Sequence, residues 1–466
     1  MKSTLLVLLL LAGCTTVGPD YKRPDMPLPE EFPIKGSEAG QPVAADWWTL
    51  YSDPVLNDLV AAARTNNADL RFAAAQVQEA EAVVRQARAA LFPEVTGSFS
   101  RTRSRIGTLT QPPPISTAPL ERNDARLVAS TSFEIDFWGK FSRADESARA
   151  GLLGSQLARE VVGLTVGGLT ATTYFGLRSL DAQIVVLDNT IRLRRESLEI
   201  AQARVQAGLA PELDVHQAQG ALSDALVQRR DAGRQRALLE RQLGQLSGKL
   251  DLKLAGGDLF TLPVPPTPPA GLPSSLLVRR PDIRAAEQTM IAANAQIGVA
   301  RANRFPAVSL TGFLGGQSAA VEDIASSGIW GLGIGITAPI FDAGRREAVE
   351  EQSKARYQQS LVSWQRSVEG AFREVSDALV NFEETGASET DLRARVEAAR
   401  NALELSRIRY ESGYSPYLEV LDAQRTANDA EIAFVRNRQA RLAFSVDLMK
   451  ALGGGWKSGS EPESSR

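Results

Sequence analysis

The sequence contains a single cysteine, Cys14, and a single histidine, His216, in 466 residues. One cysteine excludes an intrachain disulfide, so the fold must be held by packing or by assembly with other chains. One histidine provides no metal cluster, and no Ser-His-Asp set or paired carboxylate site can be assembled around it. We therefore expect no enzymatic activity, no catalytic residues, no bound cofactor and no metal, and we expect His216 to be a packing residue.

A basic excess and long apolar runs are also absent. The formal net charge is −3, from 52 basic and 55 acidic residues, so nucleic acid is not an expected partner. After the first 13 residues no run of about 18 or more uninterrupted apolar residues occurs, and no membrane-spanning helix is expected. Aromatic residues make up 6% of the chain, and alanine is abundant, which favours closely packed helices.

The one short apolar run, residues 5–12, stands at the start of the chain behind Lys2. It is too short to span a bilayer and has the layout of a signal peptide, predicted as residues 1–13. Small residues precede Cys14 as a lipoprotein signal peptidase requires, so we expect Cys14 to carry S-diacylglycerol and an N-acyl chain. Thr15, in place of an aspartate, resembles the sorting signal for the outer membrane.

An internal repeat organises the rest of the chain. Residues 69–95 align with 282–308 at an offset of 213, and residues 201–230 align with 406–435 at an offset of 205. The second pair of blocks shares identical residues at equivalent positions. These include Arg204 with Arg409, Gly208 with Gly413, Pro211 with Pro416 and Leu213 with Leu418.

Two equivalent helical turns follow from the placement of proline and glycine. Pro211 is the only proline between residues 119 and 263, and Pro416 is the only one between residues 339 and 462. Gly208 and Gly413 precede them by three residues, where a helix end favours a left-handed residue and the next helix begins with proline. We predict two long helices, each roughly 100 Å, over 140–207 and 345–412. They return as shorter helices over 211–248 and 416–452, and the first block adds a helix of about 24 residues to each copy.

Four segments alternate with a period of two and predict β-strands. Each repeat contains two of them, near residues 95–99 and 127–137 and near 308–314 and 330–340. Their length of about ten residues, with one apolar face and one polar or glycine-rich face, is typical of strands that cross an outer membrane. Four strands cannot close a barrel, so we expect a trimer, in which three copies supply twelve strands.

The predicted fold class is an α+β membrane protein with an internal repeat. Each subunit would contribute four transmembrane β-strands to a twelve-stranded β-barrel and long antiparallel helices to an α-helical coiled-coil barrel. The expected organisation is a signal peptide (1–13), a lipidated N-terminal and equatorial segment (14–66), a first repeat (67–262), a proline-rich equatorial linker (263–280), a second repeat (281–452) and a disordered C-terminal tail (453–466).

Three motifs resemble the TolC family of outer-membrane efflux channels, in its lipidated OprM and NodT-like branch. They are DWW at 46–48 followed by DPVL at 53–56, LLVRRPDIR at 276–284 and YESGYSPYLEVLDAQ at 410–424. The resemblance covers nearly the whole mature chain. It implies a homotrimer in the outer membrane, in contact with its lipid, that docks to a periplasmic adaptor and an inner-membrane pump of the resistance-nodulation-division type. It also implies passive export of small molecules such as drugs or other toxic compounds.

The same resemblance implies a periplasmic gate and docking tips. At the second turn Tyr410, Tyr414, Leu418 and Asp422 recur at intervals of four, and matching positions in the family line the closed aperture. Asp214 and Glu419, equivalent in the two turns, are either gate residues or acids that stabilise a helix start through its dipole. Some members have an arginine where this chain has Ser415. The adaptor-docking tips are the turn residues Gly208, Pro211, Gly413 and Pro416.

Two other functions stay open on the sequence alone. One is an exit duct for type I protein secretion, which has the same architecture but a different cargo. The other is a lipid-anchored periplasmic scaffold without a pore, against which the four amphipathic strands argue.

Overall fold

The structure is a computed structural model that describes residues 16–32, 43–105, 121–269 and 273–454. The predicted signal peptide, the lipidation site Cys14 and residues 455–466 of the predicted tail lie outside the described residues. Contacts divide the chain into two compact units. The first contains Met1–Asp25, Val77–Ser155 and Ala286–Trp364, and the second contains Met26–Gln76, Gln156–Ala285 and Gln365–Arg466.

Eight α-helices and four β-strands account for most of the described chain. In order they are α1 (Pro54–Asn66), α2 (Ala68–Ala89), β1 (Glu94–Arg105), β2 (Glu121–Ile135), α3 (Lys140–Gln206), α4 (Glu212–Ser247), α5 (Leu276–Arg279), α6 (Pro281–Ala302), β3 (Ala307–Ser318), β4 (Gly328–Thr337), α7 (Arg345–Glu411) and α8 (Tyr417–Ala451). Short 3-10 helices span Trp47–Tyr51, Leu259–Thr261, Pro273–Ser275 and Val321–Ser326. The order of the main elements in the first half of the chain recurs in the second, as the repeat predicts.

The long helices end within one residue of the predicted positions. Helices α3 and α7 have 67 residues each, and the returning helices α4 and α8 have 36 and 35. Pro211 and Pro416 are the N-caps of the returning helices, one position before the predicted first helical residue. None of the helices in the described part of the chain has the length and hydropathy that crossing a membrane requires.

The first unit contains one antiparallel sheet with the strand order β1-β2-β3-β4. Its register places most apolar residues of the four strands on one face, because Val95 pairs with Thr131, Phe133 with Leu310, and so on across the sheet, while Val128, Phe313 and Ile329 lie on the opposite face. The apolar face is formed by Val95, Phe99, Leu127, Phe133, Val308, Leu310, Leu314, Trp330, Leu332, Ile334 and Ile336. The opposite face has serine, threonine and the glycines Gly331, Gly333 and Gly335. The predicted division of the two faces is confirmed.

The strand ends differ from the predictions. The extension of the second strand to Phe137 is wrong, because the N–H of Phe137 turns back to the carbonyl of Ile135 (2.9 Å). The extension of the fourth strand to Ile340 is also wrong, since Pro339 cannot donate to a strand ladder and β4 ends at Thr337. In contrast, β2 begins at Glu121 and β1 continues to Arg105. These polar ends have no apolar alternation to mark them.

The core of the second unit explains the first family motif. Trp47 and Tyr51 are buried with residues of α1, α3, α4 and α8. Asp53 caps α1 by accepting hydrogen bonds from the N–H groups of Val55 (2.8 Å) and Leu56 (3.1 Å), and it also accepts one from the Tyr174 hydroxyl (2.6 Å). The aspartate therefore starts the helix and ties it to α3.

The second motif is held in the same unit by a buried arginine. The Arg280 guanidinium donates to both carboxylate oxygens of Asp282 (3.0 and 2.7 Å), to Glu374 (2.7 Å) and to the carbonyl of Ala451 (3.2 Å). Since Glu374 belongs to α7 and Ala451 ends α8, this one side chain joins three segments that are distant in sequence. The motif is structural.

Candidate functional site

Both helical turns have the same backbone geometry. Gly208 and Gly413 have φ values of 71° and 80°, the left-handed conformation that glycine adopts without strain. Each turn closes with a pair of hydrogen bonds typical of a Schellman motif. These run from Gly208 N–H to Val205 (2.9 Å), Leu209 N–H to Arg204 (2.8 Å), Gly413 N–H to Tyr410 (3.0 Å) and Tyr414 N–H to Arg409 (2.8 Å).

Side chains of the first turn contact the second turn directly. The hydroxyl of Tyr410 donates to Asp214 (3.3 Å), and the Arg204 guanidinium donates to the carbonyls of Tyr410 (2.9 Å) and Glu411 (3.4 Å). The same guanidinium lies over the Tyr410 ring, 4.8 Å from its centroid. Two turns that are about 200 residues apart in sequence are therefore joined through three side chains.

The environment keeps Tyr410 protonated. Its side chain is buried, with 4% exposed, against Tyr417 at a ring-centroid distance of 5.4 Å. Burial raises the pKa of Tyr410, the charge of Asp214 raises it further, and Arg204 offsets part of both effects, so that the pKa is about 12. At neutral pH the hydroxyl is therefore available as a donor to Asp214.

The other predicted gate residues lie on a different surface. Tyr414 and Leu418 are 80% and 60% exposed, and Asp422 is exposed and accepts a hydrogen bond from Arg425 (2.9 Å). Because Gly413 and Pro416 interrupt the helix between them, the four-residue spacing does not place Tyr410 on the same face. The structure brings together Tyr410 and Asp214 on one side of the turn and exposes the remaining four, which include Glu419.

Equivalent arginines of the repeat have different partners. Arg204 reaches across to the second turn, whereas Arg409 forms an exposed ion pair with Glu419 in the following helix (3.7 Å). Sequence reasoning did not identify Arg204 as a candidate. The recurrence of Arg204 as Arg409 was the available signal, but it could not tell which copy contacts the other turn.

A cavity of about 720 Å³ lies beside the second turn, between α3, α7 and α8. Its walls include Glu196, Ser197 and Glu404, and the pair between Arg400 and Glu431 (2.6 Å). His216, which we expected to be a packing residue, is exposed in the first turns of α4. Within the described residues, no group of three or more histidine, cysteine, aspartate or glutamate side chains is placed to hold a metal ion.

Comparison with known proteins identifies the family to which this architecture belongs. The model of the family described as "Outer membrane efflux protein" matches residues 59–249 and 272–454, once for each repeat. The chain belongs to the outer membrane efflux protein family. The prediction of an outer-membrane efflux channel with the duplicated fold of this family is confirmed, and so is its outer-membrane location.

Individual relatives extend over almost the whole chain. The "Cation efflux system protein CusC" of Escherichia coli O6:H1 is 33% identical over 469 residues, which cover 97% of this chain and 98% of that protein. The "Solvent efflux pump outer membrane protein SrpC" of Pseudomonas putida is 32% identical over 474 residues and 97% of each chain. The solved structure of the outer-membrane channel OprN has a TM-score of 0.87 at 28% identity, covering 95% of this chain and 100% of that one. The three are named as efflux proteins or as a channel, not as enzymes.

Proposed function

We propose that three copies of this chain form a passive export channel for small molecules, as the outer-membrane part of a tripartite efflux system. The observation that carries the proposal is the four-stranded sheet of the first unit. Its end strands β1 and β4 are edges in the single chain, and one face has a band of apolar residues, most of which are exposed. Pairing β4 of one copy with β1 of the next removes the edges, and three copies close a twelve-stranded barrel with the polar face inside.

The N-terminal contacts support a lipid anchor on Cys14. The N–H of Val17 donates to the carbonyl of Trp138 (3.0 Å), three residues beyond the end of β2. Val17 follows Cys14 by three residues in the sequence, and three residues of extended chain reach about 10 Å. A diacylglycerol at Cys14 would enter the periplasmic leaflet beside the barrel, and Cys14→Ser should abolish incorporation of labelled palmitate.

The two turns are the proposed gate. Contacts from Arg204 and Tyr410 hold the turns of one subunit together, and this arrangement is the closed form. Tyr414, Leu418 and Asp422 are the exposed residues that three copies would bring to the axis, where Asp422 would favour cations. Asp214 has a role in this gate as the acceptor for Tyr410, whereas Glu419 pairs with Arg409 within the second turn and stabilises the start of α8.

The partners follow from the position of the turns at the ends of the long helices. Gly208, Pro211, Gly413 and Pro416 form the two tips, where a periplasmic adaptor would dock and connect the channel to an inner-membrane pump of the resistance-nodulation-division type. The pump determines which molecules enter the channel. The relatives are named for cations and solvents, which favours small molecules over secreted protein.

An efflux assay tests the proposal against the secretion alternative. The chain is expressed in a Gram-negative strain that lacks its own outer-membrane channel but retains the cognate adaptor and pump, together with a type I secretion substrate. We expect restored export of a fluorescent dye and no rescue of protein secretion. Restored secretion without dye export would instead establish the exit duct for type I protein secretion. If the folded trimer restored neither activity, the periplasmic scaffold without a pore would be the remaining function.

A further inference from the structure

Three arginines continue the apolar face of β1 past the apolar residues. Val95, Gly97 and Phe99 lie on that face, and the alternation carries on as Arg101, Arg103 and Arg105. Intervening residues Ser100, Thr102 and Ser104 lie on the polar face. We call Arg101, Arg103 and Arg105 the arginine ladder.

The register locates the arginine ladder at one end of the apolar band. Phe99 pairs with Leu127, the last apolar pair, and Arg101 is the next residue of β1 on this face, opposite Ala125. From Ile135 to Leu127 the band extends about 26 Å along the strand, which at a strand tilt of about 40° corresponds to a height of about 20 Å, against an apolar height of about 25 Å in outer-membrane barrels. The ladder begins about 7 Å further on and rises about 13 Å between its first and last members.

This end of the sheet is opposite the end held by the N-terminal segment. Val17 bonds Trp138 just beyond the last residue of β2, whereas the ladder lies beside the first residues of β2. With the helices in the periplasm, as in the proposed function on which this inference rests, the ladder stands at the headgroup level of the outer leaflet and points away from the pore.

Local charges do not neutralise the arginine ladder. Glu121 pairs with Arg103 (2.7 Å), but these side chains are 52% and 75% exposed, so the pair is weak. Asp124 lies on the polar face and accepts from Gln317 (2.7 Å). Among the described residues, the three guanidinium groups of the ladder therefore have one ion pair, with Glu121, and the exposed acids Glu322 and Asp323 lie in the connection between β3 and β4 at the same end of the sheet.

We propose that the arginine ladder binds phosphate groups on the sugar headgroups of the outer-leaflet glycolipid. A guanidinium offers a planar pair of donors that matches phosphate oxygens. Apolar residues directly below the ladder contact the acyl chains of the same lipid, and aromatic Phe99 and Trp330 lie near that limit of the band. In a trimer three ladders repeat around the barrel and attach it to the surrounding lipid.

Binding of fluorescent lipid A to the purified full-length trimer in neutral detergent tests the proposal. The triple variant Arg101→Gln, Arg103→Gln, Arg105→Gln should bind bisphosphorylated lipid A about tenfold or more weakly than the wild type. Wild-type protein should bind dephosphorylated lipid A as weakly as the triple variant does. The matched control is Arg122→Gln, which lies at the same level of β2 on the polar face and should bind as the wild type.

Competition separates the possible sources of phosphate. We expect neither inorganic phosphate nor phosphatidylglycerol to displace fluorescent lipid A at a concentration at which unlabelled lipid A displaces it. The proposal would be overturned if either compound displaced lipid A as well as lipid A itself does, if the triple variant bound as tightly as the wild type, or if the wild type did not prefer the phosphorylated lipid.

Trimer migration and single-channel conductance are recorded for every variant. If the triple variant does not assemble, Arg101→Gln replaces it, and the same discrimination is expected at smaller size. Normal conductance with no lipid preference refutes the ladder alone, whereas absence of any conductance refutes the channel.

Discussion

The hydroxyl of Tyr410 in the second helical turn donates a hydrogen bond to Asp214 in the first, with an oxygen-to-oxygen distance of 3.3 Å. This contact joins the turns of the two repeats within one chain. The Arg204 guanidinium also donates a hydrogen bond to the backbone carbonyl of Tyr410 in the second turn (2.9 Å). Hydrogen bonds that involve a charged group contribute about 1.5–3 kcal/mol each, so a few such contacts are enough to hold one arrangement of the turns while still allowing another.

Loss of these contacts should open the channel. We expect Arg204→Gln combined with Tyr410→Phe to raise single-channel conductance severalfold, because the two turns lose the side chains that join them. Planar bilayer recording measures the change. Arg409→Gln is the matched control, since Arg409 is the repeat equivalent of Arg204 but bonds within its own turn. A conductance that rises equally in the control, or in neither variant, contradicts the proposed closed form.

Asp422 and Arg425 should act in opposite directions on ion selectivity. Asp422→Ala removes a negative charge from the proposed axis and should reduce cation preference, whereas Arg425→Gln releases Asp422 from its partner (2.9 Å) and should increase it. Reversal potentials in asymmetric KCl measure both. Unchanged conductance and selectivity in Asp422→Ala, or a shift of the same sign in the two variants, would remove Asp422 from the gate.

The two faces of the sheet should differ in their tolerance of charge. Leu310 and Thr311 are neighbours in β3 on opposite faces. A lysine facing lipid costs about 2–4 kcal/mol at the bilayer midplane, so Leu310→Lys should sharply reduce assembled trimer in outer-membrane fractions. Thr311→Lys, which places the same charge on the polar face, should leave the trimer in place. Equal yields of the two variants would contradict the assignment of the faces.

Glu350 should make stability sensitive to acid. Burial opposes ionisation of this residue, but hydrogen bonds from Lys354 (2.9 Å), Arg304 (2.9 Å) and Arg301 (3.1 Å) prevail and lower the pKa of Glu350 to about 2. In the folded state this carboxylate stays ionised at pH values at which it would already be protonated in the unfolded chain. Its contribution is therefore complete above about pH 4.5 and is lost as the pH falls toward 2.

Thermal unfolding midpoints between pH 6 and pH 3 check this sign. Glu350→Gln should unfold at a lower temperature than the wild type at pH 6, and the difference should shrink as the pH falls. Glu351→Gln, an exposed neighbour in the same helix, should show no such pH-dependent difference. A constant gap for Glu350→Gln across the range would mean that its charge does not stabilise the fold.

Sequence patterns predicted the fold well where one residue type has one local consequence. Glycine and proline placed the ends of four helices within one residue, because their backbone restrictions act without help from the rest of the chain. Alternation identified the apolar parts of all four strands. It could not mark residues 101–105 or 121–126, since strand ends that project beyond the apolar band have no reason to alternate in hydropathy.

The candidate gate was less accessible to sequence reasoning. The sequence places Tyr410 at the turn, but its burial depends on Tyr417 and on the packing of α3 against α8, which no spacing rule encodes. The part played by Arg204 depends on which of two equivalent side chains faces the other turn. Tertiary packing determines which of the two arginines contacts the other turn, and this contact determines the chemistry of the site.

The most direct test of the central claim is electrical recording from purified full-length protein in planar bilayers, alongside its migration as an oligomer. We predict stepwise currents from a trimer-sized species, with no such currents from Leu310→Lys. Folded, trimer-sized protein that inserts and conducts no current, or currents carried by a monomer, would contradict the account of a channel built from three four-stranded sheets.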